Sequence, residues 1–146
     1  MDKEKFLKLI SMIESSGGKN FNHKKVQSGV QEGDEGIGKY GLMNNTVQEL
    51  INRERRGMAP HQEEYYTLRN KPSEEVKQYL ESNPKAEDMF AKQLADKVGL
   101  QDPDKAAYMW NMGHNINREK ISDDQLDTSP YVDKFRKLKE SLAQEE

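Results

Sequence analysis

The first helix is indicated by apolar residues that recur with helical spacing near the start of the chain. They occupy positions i, i+3, i+4 and i+7, which lie on one face of an α-helix: Phe6, Leu9, Ile10 and Ile13. This pattern predicts an amphipathic helix over residues 3–15. Gly17 and Gly18 follow it and favour a helix end, because glycine adopts the left-handed backbone found there.

Start signals predict three helices in the middle of the chain. Thr46 with Glu49 has the spacing of a capping box ahead of an apolar run. Residues 61–69 have the pattern of a short helix, and Ser73 is a candidate cap for a helix that runs through Leu80.

Three later helices each begin with a polar residue followed by proline, which is typical of an N-cap and first helical position. The dipeptides are Asn83-Pro84, Asp102-Pro103 and Ser129-Pro130. Gly99 and Gly113 are predicted to end the first two of these helices. The whole pattern predicts a mainly α protein of six to eight helices, folded as a single domain over residues 1–146.

A glycine-rich stretch interrupts the helical pattern at residues 19–41. It holds half of the ten glycines: Gly29, Gly33, Gly36, Gly38 and Gly41. We expect a long loop here, with room for a small hairpin. Loops of this length in a compact domain are usually functional or disordered.

Composition narrows the function classes. The chain has a net charge of −3 and its 23 basic residues are spread among 26 acids, so it lacks the clustered basic face of nucleic-acid-binding proteins. It contains no cysteine, and its three histidines lack ligand spacing, so we expect no metal and no cofactor. No run reaches the ~18 apolar residues that a membrane helix needs. Lys8 and Ser11 interrupt the first apolar run, so we predict no signal peptide and synthesis in the cytoplasm.

Glu14 is the first candidate for chemistry. It stands in the segment IESSGGKN, in the last turn of the predicted helix. The partial negative charge of a helix C-terminus and the apolar neighbours Ile10 and Ile13 would both raise the pKa of a carboxyl here. Such a group can donate a proton near neutral pH. The alternative is an ordinary exposed glutamate.

Two further segments are candidates for a functional site together with Glu14. GDEGIGKYGLMNNT, residues 33–46, is dense in glycine, which lets backbone approach a ligand closely. AAYMWNMGHN, residues 106–115, holds the only tryptophan, Trp110, next to Asn111. Aromatic rings stack on sugars and amides bind hydroxyls, although core packing explains the same aromatic residues.

Together these segments resemble the lytic transglycosylase and goose-type lysozyme superfamily, in the style of lysozyme-like domains encoded by bacteriophages. The matching residues cover roughly residues 5–138: Glu14-Ser15, Gly41-Leu42-Met43-Asn44, Trp110-Asn111-Met112-Gly113 and Tyr131-Val132. The chain departs from the family pattern at Asn44, where glutamine is usual, and at Trp110, where tyrosine is usual.

The resemblance implies cleavage of the β-1,4 bond between N-acetylmuramic acid and N-acetylglucosamine in peptidoglycan. Glu14 would be the catalytic acid and base, and Ser15 would help to fix the acid or the sugar. Tyr131 would reach Glu14 from the last helix, and Asn111 would lie beneath the sugars. The residues implied in substrate binding are Ser15, Tyr40, Met43, Asn44, Trp110, Asn111 and Tyr131.

The resemblance leaves the reaction type open. A hydrolase would use a second carboxylate to position water, and Asp34 matches that acid of goose-type enzymes if one residue is inserted near Lys39. Thr46 stands near the place of their later acid, which favours a lytic transglycosylase that leaves 1,6-anhydro ends. A non-catalytic domain that binds glycan or builds a virion is the third alternative. The expected partners are peptidoglycan strands and other phage virion or lysis proteins, with delivery to the cell wall by a phage particle or at lysis.

Overall fold

The described part of the protein is helical, as the sequence predicts. The computed structural model describes residues 1–19, 36–54, 64 and 67–145. Within these ranges there are seven α-helices and two short 3-10 helices. The α-helices are α1 (Lys3–Ser15), α2 (Asn44–Glu54), α3 (Ser73–Ser82), α4 (Pro84–Val98), α5 (Pro103–Met112), α6 (Asp123–Thr128) and α7 (Pro130–Glu145), and the 3-10 helices are Gly38–Tyr40 and Arg118–Lys120.

Local chemistry explains most helix boundaries. Asp2 caps α1 by accepting hydrogen bonds from the backbone N–H groups of Glu4 and Lys5 at 2.7 and 3.2 Å. The three predicted proline starts are confirmed at α4, α5 and α7. In α5, the Asp102 side chain accepts from the Lys105 N–H at 3.3 Å, as expected of an N-cap.

Two predicted N-caps are wrong. Helix α2 begins at Asn44, and the Val47 N–H bonds the Met43 carbonyl at 3.0 Å, so Thr46 lies inside the first turn. Helix α3 has Pro72 at its N-cap position, and Ser73 is its first helical residue. Both errors arise because the same short polar residues are favoured at N-caps and tolerated just inside the helix.

Helix α6 was not predicted, although its sequence carries a signal. Ser122 and Gln125 form a complete capping box, in which each side chain bonds the backbone N–H of the other residue, at 3.1 and 2.8 Å. With only six residues, the helix is too short to show an apolar repeat, so this box was the one usable sign.

Helix α1 crosses the centre of the core. Phe6, Leu9 and Ile10 have no exposed surface, and burying each such side chain contributes about 1.5–3 kcal/mol. The Phe6 ring meets the Trp110 ring edge-on at 5.8 Å between centroids and the Phe135 ring at 5.6 Å. These ring contacts pack α1 against α5 and α7. The packing positions the last turn of α1, which carries Glu14. None of the helices described is long and apolar enough to cross a lipid bilayer.

Candidate active site

A tight turn forms the end of the glycine-rich stretch and faces the end of α1. Residues 38–41, called the Gly38–Gly41 turn below, are closed by Ile37 and Leu42, whose backbones exchange N–H···O=C bonds at 2.7 and 3.1 Å. This pairing lies at the C-terminal end of the predicted loop 19–41, and α2 begins two residues after Leu42. Asp34 lies outside the described residues.

The Glu14 carboxyl lies directly against this turn. A Cβ atom added to Gly41 would sit 2.2 Å from Oε2 of Glu14, and Gly41 has a φ of +65°. Only glycine satisfies both conditions without strain, because other residues pay for the left-handed backbone and would displace the carboxyl. The side chain of Glu14 is half-buried, so the turn covers it on one side while part of it stays accessible.

Tyr131, at the start of α7, reaches the same carboxyl. Its hydroxyl oxygen is fully buried, and burial raises the pKa of Tyr131 well above its usual value. The charge of Glu14 and a hydrogen bond to it raise this pKa further. Within the described residues the hydroxyl has no partner of strict hydrogen-bond geometry, so its interaction with Glu14 is a loose one. The phenol stays neutral because its raised pKa favours the protonated form.

Ser15 fastens the end of α1 to the turn. Its buried hydroxyl donates to the Lys39 carbonyl at 2.6 Å and accepts from the Gly18 N–H at 2.9 Å. The Ser15 side chain therefore joins the backbone that follows Glu14 to the Gly38–Gly41 turn. The role of Ser15 in fixing the acid or the sugar stays a prediction.

Tyr40 and Trp110 brace the turn from inside. Tyr40 is buried, its hydroxyl donates to Asp88 at 2.8 Å, and its carbonyl accepts from Trp110 Nε1 at 3.0 Å. Burial and the neighbouring acids raise the pKa of Tyr40, so its hydroxyl remains a donor. The family resemblance implies substrate binding for both aromatic residues. In the structure, their polar groups form hydrogen bonds within the protein.

Met43, Asn44 and Asn111 are more accessible. Met43 and Asn44 are half-buried at the start of α2, where the Asn44 side chain donates to the Lys71 carbonyl at 3.2 Å. Asn111 is exposed in the last turn of α5, next to Met112, which is 57% exposed. These groups can meet a ligand that approaches from solvent.

Glu87 on α4 contacts the Gly38–Gly41 turn, and it is not among the site residues predicted from the sequence. It is 4% exposed, and its carboxylate accepts hydrogen bonds from the backbone N–H of Lys39 at 2.5 Å and from that of Tyr40. Burial raises the pKa of Glu87 to about 7, although these two hydrogen bonds act against the rise. The signal was available, because Glu87 shares an apolar helical stripe with Phe90, Ala91 and Leu94.

His114 belongs to a separate cluster. Its ring nitrogens contact Thr46 Oγ1, at 3.4 Å, and the Glu49 carboxylate, so the buried ring has partners on both sides. Burial alone would raise the pKa of Glu49, but contacts with His114, Asn115 and Lys97 lower it. The adjacent open cavity, of about 500 Å³, includes none of the predicted site residues; its lining is Glu49, Asn52, Arg53, Lys97 and Asn115.

The described ranges contain no group of three His, Asp or Glu side chains placed to hold a metal ion. What they do bring together is Glu14, Gly41 and Tyr131, from α1, the Gly38–Gly41 turn and α7. No family model, curated protein or solved structure matches this chain.

Proposed function

We propose that this protein is a lysozyme-like domain that cleaves the β-1,4 bond between N-acetylmuramic acid and N-acetylglucosamine in peptidoglycan. Glu14 acts as the general acid and base. The observation that carries the proposal is the convergence on one carboxyl of Gly41 and Tyr131, which are far apart in sequence. Both residues also belong to the segments that resemble the lytic transglycosylase and goose-type lysozyme superfamily.

The surroundings of Glu14 suit proton transfer. A glycosidic bond breaks when a carboxylic acid protonates the leaving oxygen, and this acid must be fixed relative to the sugar. Glu14 is half-buried at the end of a helix anchored in the core, with glycine backbone on one side and a neutral phenol on another. These neighbours orient the carboxyl without neutralising it.

The favoured reaction is that of a lytic transglycosylase. Glu14 gives its proton to O4 of the departing N-acetylglucosamine as the C1–O4 bond breaks. The C6 hydroxyl of the muramic acid then attacks C1, forms the O6–C1 bond and returns its proton to Glu14. One carboxyl therefore serves first as acid and then as base, and no second acid is required.

A hydrolytic reaction with Asp34 is the alternative. An inverting hydrolase places a second carboxylate about 6.5–9.5 Å from the acid to activate water. Asp34 lies outside the described residues. Thr46, which stands near the place of the later goose-type acid, is buried against His114. That placement supports the transglycosylase reaction.

The proposed partners follow from this substrate. Peptidoglycan strands would contact Met43 and Asn44, which are half-buried at the start of α2, and Asn111, which is exposed at the end of α5. Delivery by a phage particle or at lysis, together with other virion or lysis proteins, would bring the domain to the cell wall.

Mass spectrometry of the muropeptides released from purified peptidoglycan tests the proposal. We expect products with 1,6-anhydro ends, one water lighter than ordinary muropeptides. Products with reducing ends would instead assign a hydrolase and make Asp34 the next residue to replace. Binding to peptidoglycan without any released product would contradict the enzymatic proposal and favour a non-catalytic glycan-binding or structural domain.

A further inference from the structure

Helix α4 holds the Gly38–Gly41 turn with two consecutive acids. Glu87 accepts from the backbone N–H groups of Lys39 and Tyr40, and Asp88 accepts from the Tyr40 hydroxyl at 2.8 Å. A Cβ atom at Gly38 would lie 2.2 Å from Oε2 of Glu87, so the carboxyl is packed as tightly against the turn as Glu14 is at its other end.

The turn therefore links two carboxyl groups. Glu87 contacts it at Gly38, and Glu14 contacts it at Gly41. Lys39 is held from both sides, since Glu87 binds its N–H at 2.5 Å and Ser15 binds its carbonyl at 2.6 Å. A shift of this residue would move Gly41, two positions further on, and with it the surface against which the Glu14 carboxyl rests.

We propose that Glu87 is a positioning residue, which holds the Gly38–Gly41 turn in the place that orients Glu14 for proton transfer. The inference rests on the proposed function for its effect on catalysis. Its structural part, that Glu87 controls the environment of Glu14 through the turn, holds independently of the substrate.

The charges around Glu87 give the proposal a pH signature. Asp88 on the same helix and Glu81 on α3 both add to the rise in the pKa of Glu87 caused by burial, and the neutral Tyr40 phenol lies on the turn itself. As a carboxylate, Glu87 accepts two charge-assisted hydrogen bonds, which are stronger than those to a protonated carboxyl. The turn should accordingly be held more firmly above a pH of about 7 than below it.

The first experiment is an NMR titration that needs no substrate. In the wild type, the amide signals of Lys39 and Tyr40 should shift with a midpoint at the pKa of Glu87, about 7. In Glu87→Gln these shifts should vanish and the titration curve of the Glu14 side-chain carboxyl should move. Glu74→Gln, at an exposed position of α3, is the matched control and should reproduce the wild-type curves.

The second experiment measures kinetics on soluble peptidoglycan fragments. We expect Glu87→Gln to lower kcat by about 10-fold to 100-fold with little change in KM, because a misplaced acid slows the chemical step and leaves binding intact. The kcat–pH profile should also lose the step that Glu87 contributes. Glu74→Gln should keep the kcat and pH profile of the wild type.

The outcomes separate the two proposals. An active wild type with unchanged kcat in Glu87→Gln overturns the positioning role. Unmoved Glu14 titration in Glu87→Gln overturns it as well, whether or not the wild type cleaves glycan. If the wild type releases no product while the Glu14 titration moves, the proposed function fails and the control of Glu14 by Glu87 stands. Should Glu87→Gln fail to fold, the Lys39 amide titration of the wild type decides, and a flat curve overturns the inference.

Discussion

Two acids in this protein, Asp104 and Glu87, have opposite kinds of hydrogen-bond partners and opposite pKa shifts. Asp104 on α5 accepts from Arg136 Nε at 2.9 Å and from Lys139 Nζ at 3.1 Å. Burial would raise the pKa of Asp104, but the two cations lower it. Glu87 is more deeply buried, its hydrogen-bond partners are backbone N–H groups, and its pKa is raised.

The two acids differ in what their surroundings contribute to the fold. An ion pair such as Asp104–Arg136 contributes about 0–1 kcal/mol when it is exposed. Ionisation of the buried Glu87 carboxyl costs desolvation free energy, which its two backbone hydrogen bonds offset only in part. Residues that break the usual rules of burial tend to mark functional positions. Glu87 lies where the turn meets α4, and the same turn touches Glu14, which is consistent with such a role.

Among the substitutions around Glu14 that leave its carboxyl in place, the largest effect should come from Gly41→Ala, which changes the turn directly. The new methyl group would fall 2.2 Å from the Glu14 carboxyl at a φ of +65°. We expect kcat to fall about 100-fold through displacement of the acid. The left-handed backbone should also cost about 1–2 kcal/mol in the free energy of unfolding.

Gly17→Ala is the matched control for this substitution. Its φ of +75° is similar, but nothing lies within 4 Å of the added atom. It should lose comparable stability in urea unfolding and keep its activity. Equal losses of activity in both variants would contradict a specific contact between Gly41 and Glu14.

The next effect is the pH dependence of stability due to Glu87. The pKa of Glu87 is about 7 in the folded protein and 4.5 as the unperturbed value, so the folded state keeps this proton longer than the unfolded state does. The stabilising contribution is complete below about pH 4.5 and is lost as the pH rises through about 7. At 1.36 kcal/mol per pKa unit, the loss is about 3 kcal/mol.

Urea unfolding at pH 5 and pH 7.5 checks this prediction. The fall in stability between the two pH values should be smaller by about 2 kcal/mol, which is most of the full loss, in Glu87→Gln than in the wild type. Asp104→Asn should behave as the wild type does over the same range, because the lowered pKa of Asp104 places its own loss of stability at more acidic pH. A wild-type-like fall in Glu87→Gln would contradict the assignment.

Tyr131→Phe should have a smaller effect, confined to activity. Removing the hydroxyl deletes the loose hydrogen bond to Glu14, and we expect kcat to fall about 10-fold, which corresponds to about 1.4 kcal/mol. Because the buried hydroxyl lacks a partner of strict geometry, its removal should change the free energy of unfolding by less than about 1 kcal/mol. A large loss of stability with unchanged kcat would mean that Tyr131 stabilises the core and has no role in catalysis.

The smallest effect should follow from Asp104→Asn. We expect a loss of about 0.5–1 kcal/mol in urea unfolding at neutral pH and no change in kcat, because the Arg136 and Lys139 side chains are partly exposed. The loss should shrink in high salt, which screens exposed ion pairs. A decrease in kcat in Asp104→Asn would contradict the proposal that Glu87, and not Asp104, affects catalysis.

Features set by neighbouring residues were predictable from the sequence. The proline starts of α4, α5 and α7 and the extent of α1 depend on local capping and apolar spacing, and the structure agrees with them. Thr46 and Glu49 show the limit of this reasoning. Their spacing fits a capping box, yet both side chains contact His114, which is far away in sequence, and such tertiary contacts override a local pattern.

The candidate site was predictable only in part. Glu14 and Tyr131 were named through the family resemblance, and their contact depends on how α1 and α7 pack in the core. The buried placement of Tyr40 and the role of Glu87 depend on contacts between the turn and α4, nearly fifty positions apart in the chain. Periodicity records which face of a helix is buried, but it does not show which backbone amides that face will meet.

The central claim is that the Glu14 carboxyl breaks the glycan chain. The most direct measurement compares the rate of muropeptide release from purified peptidoglycan by the wild type, Glu14→Gln and Glu4→Gln, an exposed glutamate in the first turn of the same helix. We expect Glu14→Gln to fold normally and to lose about 100-fold to 10,000-fold in rate, the usual contribution of a general acid, while Glu4→Gln keeps the wild-type rate. Release by Glu14→Gln at the wild-type rate would contradict the claim.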